Sequence, residues 1–530
     1  MKGGRFILFI FFLSTLLSGC TKLHETEGSY LTSGQVADNN LSATLLQSAY
    51  FSLEKPFTTY FEIFALSDLT TDEAIAPTRA NNWDDNGQWR VLHQQTWDPN
   101  SPVVHNCFQD LGGAIFAATD VLQPKYNATG QQQAEARFIR AWAMYWMLDL
   151  FDQVPYRDPG ESVISSARVR KGMDALNYII SEINAVEDSL PDGPAGEANK
   201  YAAMALLMKC YLNKSVYKNR VTPADPDPAD MDSVIKFADA IINSPNFSLA
   251  KNYFDNFAPD NVEIGSENIF TQLPSFTFNY GTSFSWQIVL EYAQYPSNVT
   301  SYSCFNGWTT LSDFYNRFEP SDIRRGIAYT YPGSFPNPGN RVNVGFLVGQ
   351  QYDLNVDTPI FDQGNALPLI YTPEVQNIEP GPNVIMTGIR PLKYAPDFSN
   401  FNYFPPPGNS FVYLRLSDVL LMKAEAILRG GKGTTAGTYG NNAKDIVNAI
   451  RTHSSRQASA MSSVTLDSLY DERGRELWWE SWRRQDMVRF GKFLMPFQEK
   501  EYTSDPKYLL FPIPYDQLAL NTNYQQNPGY

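Results

Sequence analysis

Between residues 134 and 151, Ala134, Phe138, Ala141, Tyr145 and Leu148 recur at alternating steps of four and three. That spacing lines one face of an α-helix, which must then bury that face against another element. Residues Lys200–Leu212 go further. Ala203, Leu206, Leu207, Cys210 and Tyr211 make this stretch apolar nearly all round, which predicts a helix enclosed by its neighbours. Each has a helical segment ahead of it, at 106–122 and 173–190, across short connectors of Gly, Pro and Asn. The chain is thus constrained to fold as stacked helical pairs.

Helix pairs of this length, repeated, are the pattern of a tetratricopeptide (TPR)-type stack, although no strict repeat consensus is present. A further helix is expected at 41–53, capped by Asn40 or Ser42. Residues 217–234 hold the run Thr222-Pro223-Ala224-Asp225-Pro226-Asp227-Pro228 and read as a loop. From 252 to about 404 helical periodicity mostly disappears under Gly, Pro, Asn and aromatic residues, so a large irregular region with short strands is expected, ended by Pro405-Pro406-Pro407-Gly408. Helical order returns at Tyr413, stops at Gly430-Gly431, and resumes at 442–453. Residues 466–491 read as one charged helix, with Asp471 and Arg475, and Glu480 and Arg484, paired four residues apart. The Pro- and Asn-rich residues 508–530 are expected to wrap the body.

The N-terminus begins with Lys2 and Arg5, continues through an apolar stretch from Phe6 to Leu17, and closes on Ser18-Gly19-Cys20. The stretch is too short to span a bilayer as a folded helix. Small residues directly before a cysteine mark a leader cleaved at that cysteine, whose thiol carries lipid. The expected organisation is a leader at 1–19, a lipidated tether at 20–40, a helical part at 41–250, a loop-rich region at 251–404 and a helical part at 405–530.

Charge and cysteine usage exclude other classes. A formal net charge of −15, which grows more negative once the leader's two bases are removed, leaves no basic stripe for nucleic acid. It also leaves no polybasic hold on anionic lipid. Cys107, Cys210 and Cys304 are an odd set without CxxC spacing, so no disulfide framework is expected. The four histidines are scattered, and neither a metal site nor a cofactor is expected. Aromatic residues make up 14% of the chain. Much of this must be core, and any Trp or Tyr left in loops would form a stacking surface.

Several blocks recur in an order that carries a resemblance. The first runs Thr71-Asp72-Glu73-Ala74-Ile75, Pro77-Thr78-Arg79, Trp83-Asp84-Asp85, Gly87-Gln88-Trp89-Arg90, Leu92-His93 and Trp97. The next runs from Ala134 to Phe151 with Val154-Pro155. Leu416 to Ala426, Asp471-Glu472-Arg473-Gly474-Arg475-Glu476-Leu477 and Arg489-Phe490-Gly491 follow. The chain ends on Leu510-Phe511-Pro512-Ile513-Pro514 and Gln526-Asn527-Pro528-Gly529-Tyr530. Together these resemble the SusD/RagB family of Bacteroidetes outer-membrane lipoproteins, over nearly the whole chain after Cys20.

The resemblance implies a mostly α, SusD-like fold of TPR-like hairpins around a large loop-rich insertion with short strands. It also implies a lipoprotein anchored through Cys20 in the outer membrane and facing the cell exterior. Such a protein captures glycan without cutting it and serves a SusC-like TonB-dependent transporter. Two departures stand out. The acidic stretch after the lipidated cysteine is reduced to Glu25 and Glu27. The turn Asn306-Gly307-Trp308 has Phe305 where the family often has Trp.

A sugar ring offers a flat C–H face and a rim of hydroxyls. Trp covers the face, while Asp, Asn and Arg serve the hydroxyls. The candidate ligand-binding residues are therefore Asp72, Arg79, Trp83 and Asn86, with Tyr292 and Trp308 from the loop-rich region. The bland alternative is that Trp83 and Arg79 merely pack a loop. Asp72-Glu73 and Asp84-Asp85 are not expected to be glycosidase pairs, because adjacent loop residues point apart and hydrolysis needs two carboxyls across one bond. His93 reads as a packing residue. The run Glu472, Arg473, Arg475, Glu476, Arg483, Arg484 reads as ion pairing between helices. A second functional reading stays open, a TPR-scaffold lipoprotein that takes up peptide or glycoprotein.

Overall fold

The computed structural model describes residues 39–80, 82–162, 164–272, 283–291, 294, 304–331, 341–353, 358–361, 366–381, 384–397 and 408–530. The leader, Cys20, nearly all of the tether and Tyr292 lie outside the described residues.

Helices α1 (Asn39–Glu54), α2 (Pro102–Val121) and α3 (Gly130–Phe151) pack successively on one another, and α4 (Gly172–Asn184) packs on α3. Ser101 caps α2 through the Val104 N–H, and Thr129 with Gln132 forms a capping box on α3. Helices α5 (Lys200–Leu212) and α6 (Pro228–Ile242) form the next pair. α6 in turn packs on α7 (Leu416–Leu428), and α7 on α8 (Ala443–Arg451). The hairpin stack therefore runs through from the N-terminal to the C-terminal helical segments. Within α5, Ala203, Leu206, Leu207 and Cys210 are wholly enclosed, as their all-round apolarity requires. Cys107, Cys210 and Cys304 are free thiols, all buried. No described helix is long and apolar enough to cross a membrane.

Two expectations are corrected. Residues 217–234 are not one loop, because α6 begins at Pro228. The Asp227 side chain accepts from the Ala229 N–H and Pro228 sits in the first turn, a favourable helix start. Met231, Val234, Ile235, Ala238, Ile241 and Ile242 form its buried stripe. Nor is 466–491 one helix. α9 (Leu466–Leu477) and α10 (Arg483–Arg489) are separated by a turn in which Trp479 and Ser481 both take φ near 63°. Trp478, Trp479 and Trp482 are all buried, and a continuous helix would aim such closely spaced indoles to different sides.

The expected i,i+4 ion pairs do not form among the described residues. Arg475 pairs with Glu472 at 2.8 Å, and Glu480 pairs with Lys393 at 2.5 Å and Arg415 at 2.8 Å. Arg484 reaches Asp149 at 3.1 Å, and Asp471 is approached by Arg317 at 3.8 Å.

The loop-rich region is fastened by short strand pairs. Ala74–Ile75 runs antiparallel to Thr309–Thr310, Thr78–Arg79 parallel to Ile378–Glu379, and Asn268–Thr271 antiparallel to Val412–Arg415. Val344–Leu347 lies between Arg390–Leu392 and Gly326–Ile327. Residues 508–530 wrap the helices: the Phe511 N–H donates to Leu150 O at 2.9 Å, and Trp97 Nε1 donates to the Tyr530 hydroxyl at 2.8 Å.

The charge run of α9 is the hub. Glu476 receives Arg456 at 2.6 Å, Arg415 at 2.7 Å and Arg324 at 2.9 Å. Arg415 and Arg456 also bind Glu267, and all five side chains are fully buried. Burial opposes ionisation of Glu476, but Arg456, Arg415 and Arg324 outweigh it and hold its carboxyl well below the usual range. Glu476→Ala would leave buried guanidinium charge uncompensated. It is expected to cost ~3–5 kcal/mol in a denaturant titration. A loss below about 1 kcal/mol would mean that Glu267 and Glu480 neutralise the cluster without it.

Candidate functional site

The block from Thr71 to Trp97 is fastened to the loop-rich region by its strand pairs and to the C-terminal residues through Asp72, His93 and Trp97. Its side chains divide into a buried base and a half-exposed rim.

Asp72 belongs to the base. Its carboxylate accepts from Arg483 Nε at 2.7 Å, Arg483 NH2 at 2.8 Å and the Tyr470 hydroxyl at 3.3 Å, and pairs with Arg317 at 2.7 Å. Burial alone would raise its pKa, but Arg483 and Arg317 overcome this and hold it well below the ordinary carboxylate range. Two guanidinium groups and a phenol hydroxyl thus meet on this carboxylate.

Arg79 is 1% exposed and acts as a clamp. Its Nε donates to Asn306 O at 3.1 Å, NH1 to Thr387 Oγ1 at 3.0 Å, and NH2 to Thr387 O at 2.9 Å. Trp308 is fully buried, stacked on Phe64 at 5.3 Å with the rings 11° apart, so it offers no face to solvent. Asp72, Arg79 and Trp308 are thus all buried among protein partners. Arg79 and Trp308 meet at the 305–308 turn, whereas Asp72 lies apart, beside α9 and α10.

Trp83 forms the rim. It is half-buried, and its Nε1 donates to Phe305 O at 2.8 Å. Its indole lies 5.8 Å from the Tyr60 ring and 5.7 Å from Trp89. Tyr60 in turn lies 4.2 Å from Phe61 and 6.4 Å from Phe305. Tyr60, Phe61, Trp83 and Phe305 are all half-buried, forming an aromatic patch over the buried Trp89 and Trp308. Sequence reasoning missed Tyr60 and Phe61. The adjacent aromatic pair just beyond α1 was the available signal, but nothing local says that it meets Trp83.

Asn86 is exposed on the adjoining turn, where Trp83, Asp85, Asn86 and Gly87 all take positive φ. Non-glycine residues there cost of order 1–3 kcal/mol each, so the turn persists only because it is tied down. Arg90 NH1 donates to Asp84 Oδ1 at 2.6 Å, and Trp89 Nε1 to Asp85 Oδ2 at 2.6 Å. The same ties occupy the Asp84-Asp85 pair. His93 is wholly buried between Ala74 O and Gln498 O, and burial lowers its pKa to about 4, so it is a neutral packing residue. Among the described residues no group of three or more His, Cys, Asp or Glu is set to hold a metal ion.

Residues 285–530 match the model of the SusD family. The starch-binding protein SusD of Bacteroides thetaiotaomicron is 25% identical to this chain, over 89% of this chain and 86% of its own. SusD-like protein P25 of Formosa agariphila is 23% identical, over 86% of this chain and 81% of its own. Among solved structures, surface glycan-binding protein A from Bacteroides uniformis superposes with a TM-score of 0.68 at 20% identity, covering 92% of this chain and 99% of that one. A SusD superfamily protein from Parabacteroides distasonis gives 0.69 at 19%, covering 94% and 100%. The fold is the SusD-like helical scaffold with a loop-rich insertion, and residues 285–530 carry the match to the SusD family.

Two outcomes test this geometry. A Cβ on Gly307 would lie 2.2 Å from Trp83 Cζ2. Gly307→Ala is therefore expected to push the indole off the turn and cost ~1–3 kcal/mol, read as a red-shifted tryptophan emission and a lower Tm. Unchanged emission would show that the indole does not rest on Gly307.

Glu73, behind the patch, is 1% exposed, and its Oε2 has no hydrogen-bond partner among the described residues. Burial pushes it up to about 8, against the pull of the Trp479 N–H and Arg483. The folded protein then keeps a proton that the unfolded chain releases near its ordinary value of 4.5. Glu73 thus favours the fold below that value, and the advantage is lost as pH rises through about 8. Glu73→Gln should gain stability relative to wild type steadily from about pH 5 to about pH 9 in pH-stepped denaturation. A difference that does not vary with pH would assign the proton elsewhere.

Proposed function

We propose that this protein captures glycan at the outer surface of the cell, holds it without cutting it, and delivers it to a SusC-like TonB-dependent transporter. The observation that carries the reading is the aromatic patch of Tyr60, Phe61, Trp83 and Phe305, flanked by the exposed amide of Asn86. Aromatic faces supply dispersion contact to the C–H face of a sugar ring, and an amide serves its hydroxyls.

Trp83 and Asn86 are the proposed contacts, with Tyr292 as a further one. Arg79 and Trp308 act behind them by holding the 305–308 turn in place, while Asp72 fastens its own segment to Arg483 and Arg317. The names of the relatives support the ligand class: one is a starch-binding protein, and surface glycan-binding protein A of Bacteroides thetaiotaomicron was solved in complex with laminarihexaose. The acidic charge suits a neutral glycan better than a polyanion. Engagement of Asp72, Asp84 and Asp85 by Arg and Trp side chains argues against a hydrolytic pair. The Ser18-Gly19-Cys20 sequence supports a lipid anchor at Cys20 in the outer membrane, each buried CH₂ contributing roughly 0.8 kcal/mol.

Isothermal calorimetry of the purified protein against maltooligosaccharides, laminarihexaose, other neutral oligosaccharides and a casein peptide digest tests the reading. Micromolar to millimolar binding of at least one glycan is expected, with the glycan recovered intact. Trp83→Ala should weaken that binding at least tenfold, about 1.4 kcal/mol. Binding confined to the peptides would make the protein a peptide-uptake lipoprotein and overturn the glycan reading.

A further inference from the structure

Beyond the aromatic patch, the loop-rich region holds a cavity of about 220 Å³. One water needs only roughly 10–15 Å³ measured this way, so there is room for a ring-sized solute. Its inner wall is made by Gln294, Gln351, Leu347 and Leu392, all under 7% exposed. Half-exposed Tyr352 and Arg341 stand towards solvent, the guanidinium 3.5 Å over the centre of the tyrosine ring.

The polar groups of this wall are set in place and only partly used. Gln294 Nε2 donates to Gln351 Oε1 at 3.2 Å, and Gln351 Nε2 donates to Gly349 O at 3.0 Å. Gln294 Oε1 accepts from the Tyr371 hydroxyl and, at 3.1 Å, from the Glu291 N–H. A carboxamide has two donor hydrogens and two acceptor lone pairs. Among the described residues, Gln351 therefore keeps one hydrogen and one lone pair in hand, and Gln294 one hydrogen. A donor and an acceptor on one planar amide match two neighbouring hydroxyls of a sugar ring. Both amides are buried, so their rotamers are fixed before a ligand arrives.

The cavity is also joined mechanically to the aromatic patch. Arg390 NH2 donates to Asn306 Oδ1 at 2.7 Å, its guanidinium lies 4.4 Å from the Tyr371 ring, and Tyr371 binds Gln294. Asn306 adjoins Phe305, and its N–H donates to O of Leu290, itself a cavity-lining residue, at 2.9 Å. One polar chain therefore runs from the turn under Trp83 to the amides of the cavity.

We propose that this cavity is a second binding pocket, taking one neutral sugar ring, with Gln351 and Gln294 addressing its hydroxyls and Tyr352 bordering it. The proposal rests on the glycan reading above and extends it to a second point of capture.

The test uses the wild-type chain, Tyr352→Ala, Tyr352→Phe and Trp83→Ala, with calorimetry against the same neutral oligosaccharides and their constituent monosaccharides, and Tm measured on each sample. Tyr352→Ala should bind its best oligosaccharide at least threefold more weakly, with Tm within about 1 °C of wild type. Tyr352→Phe should bind as wild type does. A fall in Tm of several degrees that Tyr352→Phe reverses, with affinity unchanged in both, would assign Tyr352 to packing and overturn the pocket. Wild-type affinity in Tyr352→Ala for every sugar tried would overturn the pocket alone, leaving the Trp83 site standing if Trp83→Ala still loses binding. Absence of glycan binding by the wild-type protein would overturn both readings together.

Discussion

The structure depends on a set of charges taken out of water. Glu476 on α9 meets Arg324, Arg415 and Arg456, and two of these share Glu267. These residues come from the loop-rich region, the strand before α7, the segment after α8, and α9 itself. Burying one such charge without a partner is costly, so none of these segments reaches its place without the others. Apolar packing builds the hairpins, but it is non-directional. The ionic cluster specifies how an irregular region of short strands sits against them. It also explains why α9 and α10 carry so much charge yet are largely buried.

The candidate site follows from the same division. Side chains that look well suited to grip a ligand, Asp72 and Arg79, are consumed in holding protein to protein. What remains for a ligand is aromatic area and amides: the Trp83 patch with Asn86 on one side of the 288–290 segment, and the Gln294–Gln351 wall beyond it. Aromatic rings and amides dominate both, with Arg341 at the mouth of the cavity, which suits a partner presented as hydroxyls and C–H faces. Weak individual hydrogen bonds, about 0.5–1.5 kcal/mol each, would then be combined with stacking area for affinity.

Much of the helical fold was legible from periodicity. α3, α5 and α7 bury the stripes that their spacing announces, and Gly430-Gly431 ends α7 as expected. α6 was hidden because the Pro/Asp run before it resembles an open loop, although Asp227-Pro228 is a good helix start. The break between α9 and α10 was hidden because charge periodicity runs straight across Trp478, Trp479 and Trp482, and only three-dimensional burial of the indoles forces the turn. In the site, residue type was readable and exposure was not. Trp83 and Trp308 look alike in sequence. One rests half-open on Gly307 and the other stacks under Phe64, a distinction set by contacts more than two hundred residues away along the chain.

Residues 508–530 give the chain a timetable. The Trp97–Tyr530 bond joins groups 433 positions apart, and Phe511 closes onto Leu150 O from a similar remove. Arg483 reaches back 411 positions to Asp72. Such closures come late, because loop entropy is lost before the contacts return anything. Hairpins near the N-terminus can form early, but the seats for Trp97, Leu150 and Asp72 stay open until the far end of the polypeptide arrives. Residues 508–530 therefore close the body, whichever hairpins form first.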